Sequence, residues 1–201
     1  MKNFGAVLLA GGRSTRMRAN KALLDYNGIP IWRFQMNKLV ELGPDELYFS
    51  VQSATVFPQG PWEFVHDRSP HLGPLAGLEA ALRQTHADFL VALAVDMPGM
   101  TVGFLSELLE RSGPAGTVPR VDGFYCGTAA VYPVGILPLV RMILTSNDRS
   151  FQHLICEALE SGLMNAKEIP PARQSLFSNW NSRKDLRKAN RSLPESARRS
   201  R

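Results

Sequence analysis

Cysteine is nearly absent from this chain: Cys126 and Cys156 are the only two among 201 residues, far apart and in no C-x-x-C arrangement. That scarcity argues against a disulfide scaffold and for a reduced chain with two small buried apolar residues. The four histidines show no metal-ligand spacing such as H-E-x-x-H. Long apolar runs are missing as well. The longest clear one is Phe89–Val95, far short of the roughly 20 residues of a membrane span. Lys2 and the apolar stretch after it lead into Gly-Gly-Arg without the small-residue cleavage pattern of a signal peptide. A cytoplasmic protein with no membrane partner is expected. Two common phosphate motifs, G-x-x-x-x-G-K-[ST] and G-x-G-x-x-G, do not occur, which argues against the usual kinases, GTPases and dinucleotide folds.

What is present describes an ordinary globular protein, 44% hydrophobic and 20% charged. The formal charge of +5 is misleading until it is located. Residues 183–201 carry eight Lys/Arg against two Asp/Glu, a net +6, which leaves the other 182 residues at −1. The body is neutral, so nucleic acid is not expected as a partner. Residues 1–192 read as a single domain. Residues 193–201 read as a basic, disordered tail, being polar and without periodicity.

Along the chain, Phe4–Leu9 is apolar without alternation, as in a strand covered on both faces. Asn27-Gly28 marks a turn. Pro30 begins a helix whose apolar positions are Trp32, Phe34, Met36, Leu39, Val40 and Leu42, ending at Gly43-Pro44. Leu47–Val51 and Glu63–Val65 are further short strands. Leu75, Leu78, Ala81 and Leu82 return to helical spacing after Gly73-Pro74. Phe89–Val95 is the strongest strand, and an amphipathic helix follows around Leu105, Leu108 and Leu109. This alternation predicts an α/β three-layer sandwich with a mainly parallel sheet. Later come a strand over Thr128–Tyr132, a helix over Gly135–Leu144 interrupted near Pro138, and a helix over Phe151–Leu159. Ser182 and Asp185 are spaced as a capping box for one more short helix.

Three features sit at predicted strand ends, where an open parallel sheet binds its ligands. After Phe4–Leu9 come Ala10, Gly11 and Gly12, then Arg13, Ser14, Arg16, Arg18 and Lys21. Two glycines permit close approach of the backbone, successive N–H groups can cradle an anion, and Arg16 and Lys21 add fixed positive charge. This pattern suits polyphosphate. Asp67 closes Trp62-Glu63-Phe64-Val65-His66 ahead of Gly73-Pro74-Leu75-Ala76-Gly77, and Asp96 closes Phe89–Val95. A carboxylate directly after seven apolar residues is costly to bury without a positive partner. Magnesium fits, since it binds one or two carboxylates plus phosphate oxygens. Competing with that role for Asp96 are a helix cap before residues 102–111 and a turn before Pro98.

Leu9-Ala10-Gly11-Gly12-x-Ser14-x-Arg16-Met17 followed by Lys21, together with Asp67 ahead of Gly73–Gly77, Asp96-Met97-Pro98, and Asn179-Trp180-Asn181-Ser182-x-x-Asp185-Leu186, resembles the molybdenum cofactor guanylyltransferase family within the Rossmann-like nucleotidyltransferases. The motifs keep the family order over residues 4 to 190. The resemblance implies transfer of GMP from GTP to the terminal phosphate of molybdopterin or its molybdenum-loaded form, with release of pyrophosphate and dependence on Mg2+. It implies that Leu9, Ala10, Gly11, Gly12 and Ser14 hold the nucleotide, with Arg16 and Lys21 on its phosphates. It further implies Asp67 and Gly77 at the nucleotide site, Asp96 as the metal ligand, and Asn179 and Asn181 on the pterin side. A molybdoenzyme or another cofactor-biosynthesis protein would be the macromolecular partner.

Two departures lie within the basic loop. Arg18 stands where the family usually has glycine, and Asn20 where it has aspartate. Phe124-Tyr125-Cys126-Gly127-Thr128 replaces a proline-containing segment. Two other readings therefore stay open: a different nucleotidyltransferase acting on a sugar phosphate or with CTP, and a non-catalytic nucleotide- or cofactor-binding partner protein.

Overall fold

The computed structural model describes residues 2–10, 21–26, 28–51, 56–66 and 73–180. Strand β1 (Phe4–Leu9) is buried at every position, which accounts for its unbroken apolar sequence: both faces of the sheet are covered. Alternate side chains divide between two cores. Phe4, Ala6 and Leu8 join one cluster, whereas Val7 and Leu9 join the other.

After the hairpin of β2 (Asp25–Tyr26) and β3 (Ile29–Pro30) comes helix α1 (Ile31–Leu42). It ends in the left-handed conformation at Gly43, φ 74°, where a side chain would be strained. Strands β4 (Glu46–Ser50) and β5 (Glu63–Val65) precede α2 (Pro74–Gln84), and β6 (Phe89–Ala94) precedes α3 (Val102–Arg111). The remaining elements are β7 (Gly116–Val121), β8 (Phe124–Tyr125), β9 (Ala129–Pro133), α4 (Leu137–Thr145), α5 (Phe151–Glu160) and β10 (Met164–Glu168).

Among the described residues the strands form a sheet in the order β10-β7-β9-β6-β1-β4-β5, with β8 paired to β7. Pairs β1–β4, β1–β6, β4–β5 and β7–β10 are parallel. Strand β9 runs antiparallel between β6 and β7, and the β7–β8 pair is also antiparallel. Helices α1 and α3 pack on one face; α2, α4 and α5 pack on the other. The three-layer sandwich with a mainly parallel sheet is as expected from the alternation of elements. The chain leaves β1 outward to β4 and β5, then returns to β6 on the opposite side of β1. In open sheets of this kind such a reversal marks the ligand crevice, here at the carboxyl ends of β1 and β6.

Several expectations need correction. Strands β7 and β10 are absent from the sequence reading. Pro119 lies within β7, where a proline argues against a strand, and β10 is a largely polar strand at the edge of the sheet. Pro138 does not interrupt a helix. A 3-10 turn, Val134–Ile136, comes first, and Pro138 then lies in the first turn of α4, where its missing N–H has no partner to lose. Val40 is exposed, and Gln35 takes the buried place on α1. The cysteines are free thiols, but only Cys126 is partly buried; Cys156 is exposed. Burial pushes the Cys126 thiol up to about 11. The helix expected after Ser182 and the basic tail at 193–201 lie outside the described residues. No helix among the described residues is long and apolar enough to cross a membrane.

Candidate active site

The crevice is built from main-chain contacts before any functional side chain is considered. Ala10 N–H donates to Ser50 O at 3.0 Å and Val95 N–H donates to Leu9 O at 3.0 Å, so the end of β1 is gripped from both sides. Asp96, half-buried, follows at the end of β6. The cap role weighed for it belongs to Thr101, whose Oγ1 accepts from Phe104 N–H at 3.2 Å. Asp96 stands in the turn that precedes Pro98.

That turn is held from beneath by α1. Gln35 is fully buried, and its Nε2 donates to Ala94 O and Met97 O, each at 3.0 Å. Lys38 Nζ donates to Gln35 Oε1, Pro98 O and Met100 O, each at 2.7 Å. It also lies 4.2 Å from the centroid of the Phe34 ring. Burial pushes the Lys38 ammonium down to about 8. Three oxygen acceptors around it favour the protonated form that donates to all of them.

The C-terminal segment closes the same turn from the other side. The 3-10 helix Pro171–Phe177 is tied to α3 by Phe177 packing edge-on against Phe104, centroids 5.4 Å apart, and by Arg173 pairing with Glu107 at 2.8 Å. Lys167 pairs with Glu107 at 2.7 Å, and the two cations draw the Glu107 carboxyl down to about 2. A Cβ on Gly99 would come within 2.9 Å of Ser175 O, so the turn and this helix meet backbone to backbone. Trp180 N–H then donates to Asp96 O at 2.9 Å. The Trp180 ring meets Tyr26 edge-on at 5.0 Å. Tyr26 belongs to the hairpin that follows the basic loop. Its contact with Trp180 links three stretches distant in sequence: the loop exit, the Asp96 turn and Asn179-Trp180.

Of the residues expected at the site, Leu9, Ala10, Asp96 and Asn179 thus converge on one end of the sheet, Asn179 being exposed there. Gly77 lies lower, in α2. A Cβ there would meet Ser50 Oγ at 2.3 Å and Leu9 Cδ2 at 3.3 Å. Its described role is to let α2 approach β4 and β1. Gly77→Ala should destabilise the fold by about 1–3 kcal/mol through overpacking, with partial recovery when Ser50→Ala is added. Urea denaturation reads this, and an unchanged midpoint would show that the helix shifts freely. Gly11, Gly12, Ser14, Arg16, Arg18, Asn20, Asp67, Asn181 and the side chain of Lys21 lie outside the described residues. Gln35, Lys38, Tyr26 and Trp180 were missed by the sequence reading. The only local signal was a glutamine between Trp32, Met36 and Leu39 on an otherwise apolar stripe.

Among the described residues no group of three or more His, Cys, Asp or Glu could enclose a metal ion. Asp96 fits the other way of binding one, in which a single carboxylate anchors magnesium and a ligand's phosphate oxygens and water complete the shell.

Residues 6–161 match the family model described as MobA-like NTP transferase domain. A probable molybdenum cofactor guanylyltransferase of Opitutus terrae is 31% identical over 186 residues, which cover 90% of this chain and 91% of that protein. Among solved structures, a nucleotidyl transferase from Methanothermobacter superposes with a TM-score of 0.74 at 20% identity, covering 94% of this chain and 96% of the other. Molybdopterin-guanine dinucleotide biosynthesis protein A from Archaeoglobus fulgidus gives a TM-score of 0.70 at 22% identity, covering 94% and 97%. At such identities the two structures establish a shared nucleotidyltransferase fold.

Proposed function

The chain belongs to the MobA-like NTP transferase family, and on that premise we propose that it transfers GMP from GTP to the terminal phosphate of molybdopterin or its molybdenum-loaded form. The observation that carries the reading is the convergence of the β1 end, Asp96 and Asn179, joined by the hydrogen bond from Trp180 to Asp96 O. Sequence resemblance assigned these residues to nucleotide, metal and pterin respectively. Their meeting at one crevice supports that division of roles.

In the reaction a phosphate oxygen attacks the α-phosphorus of GTP. The new P–O bond forms as the bond to the β-phosphate oxygen breaks, and pyrophosphate leaves with the electron pair. The nucleophile is already an anion, so no general base is required. The main barrier to contact is repulsion between anions, and catalysis consists of positioning and charge neutralisation. Residues 10–14 would present backbone N–H groups to the nucleotide, while Arg16 and Lys21 would hold its phosphates. Asp67 would contact the guanosine. Gly77 would act indirectly, by seating α2 beneath Leu9. Asp96 would hold Mg2+, which supplies charge neutralisation between the phosphates. Asn179 and Asn181 would hydrogen-bond the pterin substrate through uncharged amides that do not repel phosphate.

The guanine assignment predicts that GTP with Mg2+ binds at least about tenfold more tightly than CTP or ATP, about 1.4 kcal/mol. Calorimetry with the three nucleotides measures this, and equal or tighter binding of CTP would remove the assignment. Incubation with GTP, Mg2+ and molybdopterin should release pyrophosphate and yield a guanine dinucleotide. Parallel reactions with CTP or a sugar phosphate should yield none.

A further inference from the structure

Asp96 is useful only if its carboxylate points into the crevice, and the direction of a side chain is set by the backbone that carries it. The peptides around Asp96 are fixed on several sides. Ala94 N–H donates to Thr128 O at 2.8 Å, Val95 N–H to Leu9 O at 3.0 Å, and Trp180 N–H to Asp96 O at 2.9 Å. Thr128 Oγ1 lies 3.5 Å from Met97 Sδ, completing the contact with β9. These anchors belong to the sheet and to the C-terminal segment. Beneath the turn, side-chain donors come from Gln35 and Lys38 on α1. Between them they satisfy the carbonyls of Ala94, Met97, Pro98 and Met100, and they are joined to each other.

We propose that buried Gln35 and half-buried Lys38 on α1 are positioning residues for Asp96, a linked pair that sets the geometry of the carboxylate through the main chain of residues 94–100. The proposal rests on Asp96 being the metal carboxylate. It assigns Gln35 and Lys38 a function for which simple packing has no use. An apolar stripe on α1 would bury more favourably than an amide and an ammonium, because buried polar groups must each find partners. The amide uses both its N–H groups and its oxygen, and the ammonium uses all three N–H groups. A network satisfied to this degree is stiff. Outer-shell groups that orient a metal ligand change metal affinity or activity by about 10–100-fold when removed.

Lys2 supplies a control of matched chemistry. Its Nζ also donates to three carbonyls, those of Leu109, Glu110 and Ser112, at the C-terminal end of α3 rather than at the Asp96 turn. Mn2+ binding to the protein–GTP complex, followed by electron paramagnetic resonance, is the primary readout, with kcat, KM for GTP and the melting temperature measured beside it. Lys38→Met should weaken Mn2+ binding about tenfold and lower kcat about 10–100-fold while KM for GTP stays within about twofold. Gln35→Asn, one methylene too short to span both Ala94 O and Met97 O, should shift the same quantities in the same direction, and it carries the test if Lys38→Met does not fold. Lys2→Met should lower the melting temperature yet leave Mn2+ affinity and kcat at wild-type values. Folded Lys38→Met and Gln35→Asn proteins with wild-type Mn2+ affinity and kcat would overturn the proposal and leave the pair a purely structural knot. Asp96→Asn in the same assay separates the two levels. If it abolishes Mn2+ binding while the α1 variants do not, only the positioning role falls. If it too leaves binding unchanged, the metal role of Asp96 falls and the positioning role with it.

Discussion

Asp96→Asn should lower kcat by about 10³-fold or more and abolish the response of turnover to Mg2+ concentration, with little change in melting temperature. The substitution keeps the size and polarity of the side chain and removes only the charge. The hydrogen bonds described at residues 95–97, from Val95 to Leu9, from Trp180 to Asp96 and from Gln35 to Met97, involve backbone atoms at this turn, so the turn should persist. On the proposed reading, the substitution removes the anionic anchor for a cation between two phosphate-bearing substrates. Removing one preorganised charge or donor from a transition state costs about 10²–10³-fold, and loss of the metal itself costs more. A steady-state titration of Mg2+ against pyrophosphate release measures the effect. A variant that retains the wild-type metal titration would refute the assignment of Asp96.

The second large effect is expected at Lys21. Lys21→Ala should reduce kcat by about 10³-fold, in the range found when a cationic group on a transferring phosphoryl centre is removed. The fold should survive. Lys21 begins the short 3-10 turn Lys21–Leu23, and the chain beyond it is anchored by buried Ala22, by the β2–β3 hairpin and by the hydrogen bond from Ile31 N–H to Leu24 O at 2.8 Å. Circular dichroism should therefore match the wild type while single-turnover pyrophosphate release is nearly lost. Normal turnover in a folded Lys21→Ala protein would remove the lysine from the mechanism. Arg16 would then become the principal cation of the loop.

The sequence singles out Asp96 because seven apolar residues followed at once by a carboxylate is a pattern that packing alone does not favour, and the structure places it at the carboxyl end of β6. The sequence singles out Lys21 by the density of glycine and positive charge after a buried strand, and its side chain lies outside the described residues. The layers of the fold were legible for a similar reason, since a strand covered on both faces loses its alternation and an amphipathic helix keeps its 3.6-residue period. Strands β7 and β10 were not, because Pro119 breaks the pattern of one and the other is a polar edge strand whose register is set by β7 rather than by a buried face of its own.

Local order, the two apolar faces of the sheet and the chemical character of the crevice are thus written in short stretches of residues, because propensity, periodicity and charge act over a few positions. The company each residue keeps is not. That Trp180 donates to Asp96, that Tyr26 meets Trp180, and that Gln35 and Lys38 support the Asp96 turn are consequences of the strand order and of the chain returning across the sheet. Nothing local in the sequence marks Gln35 as special, since its partners are carbonyls some sixty residues away. Only folding brings those oxygens within reach, and there the cost of burying an amide becomes a means of holding a carboxylate in place.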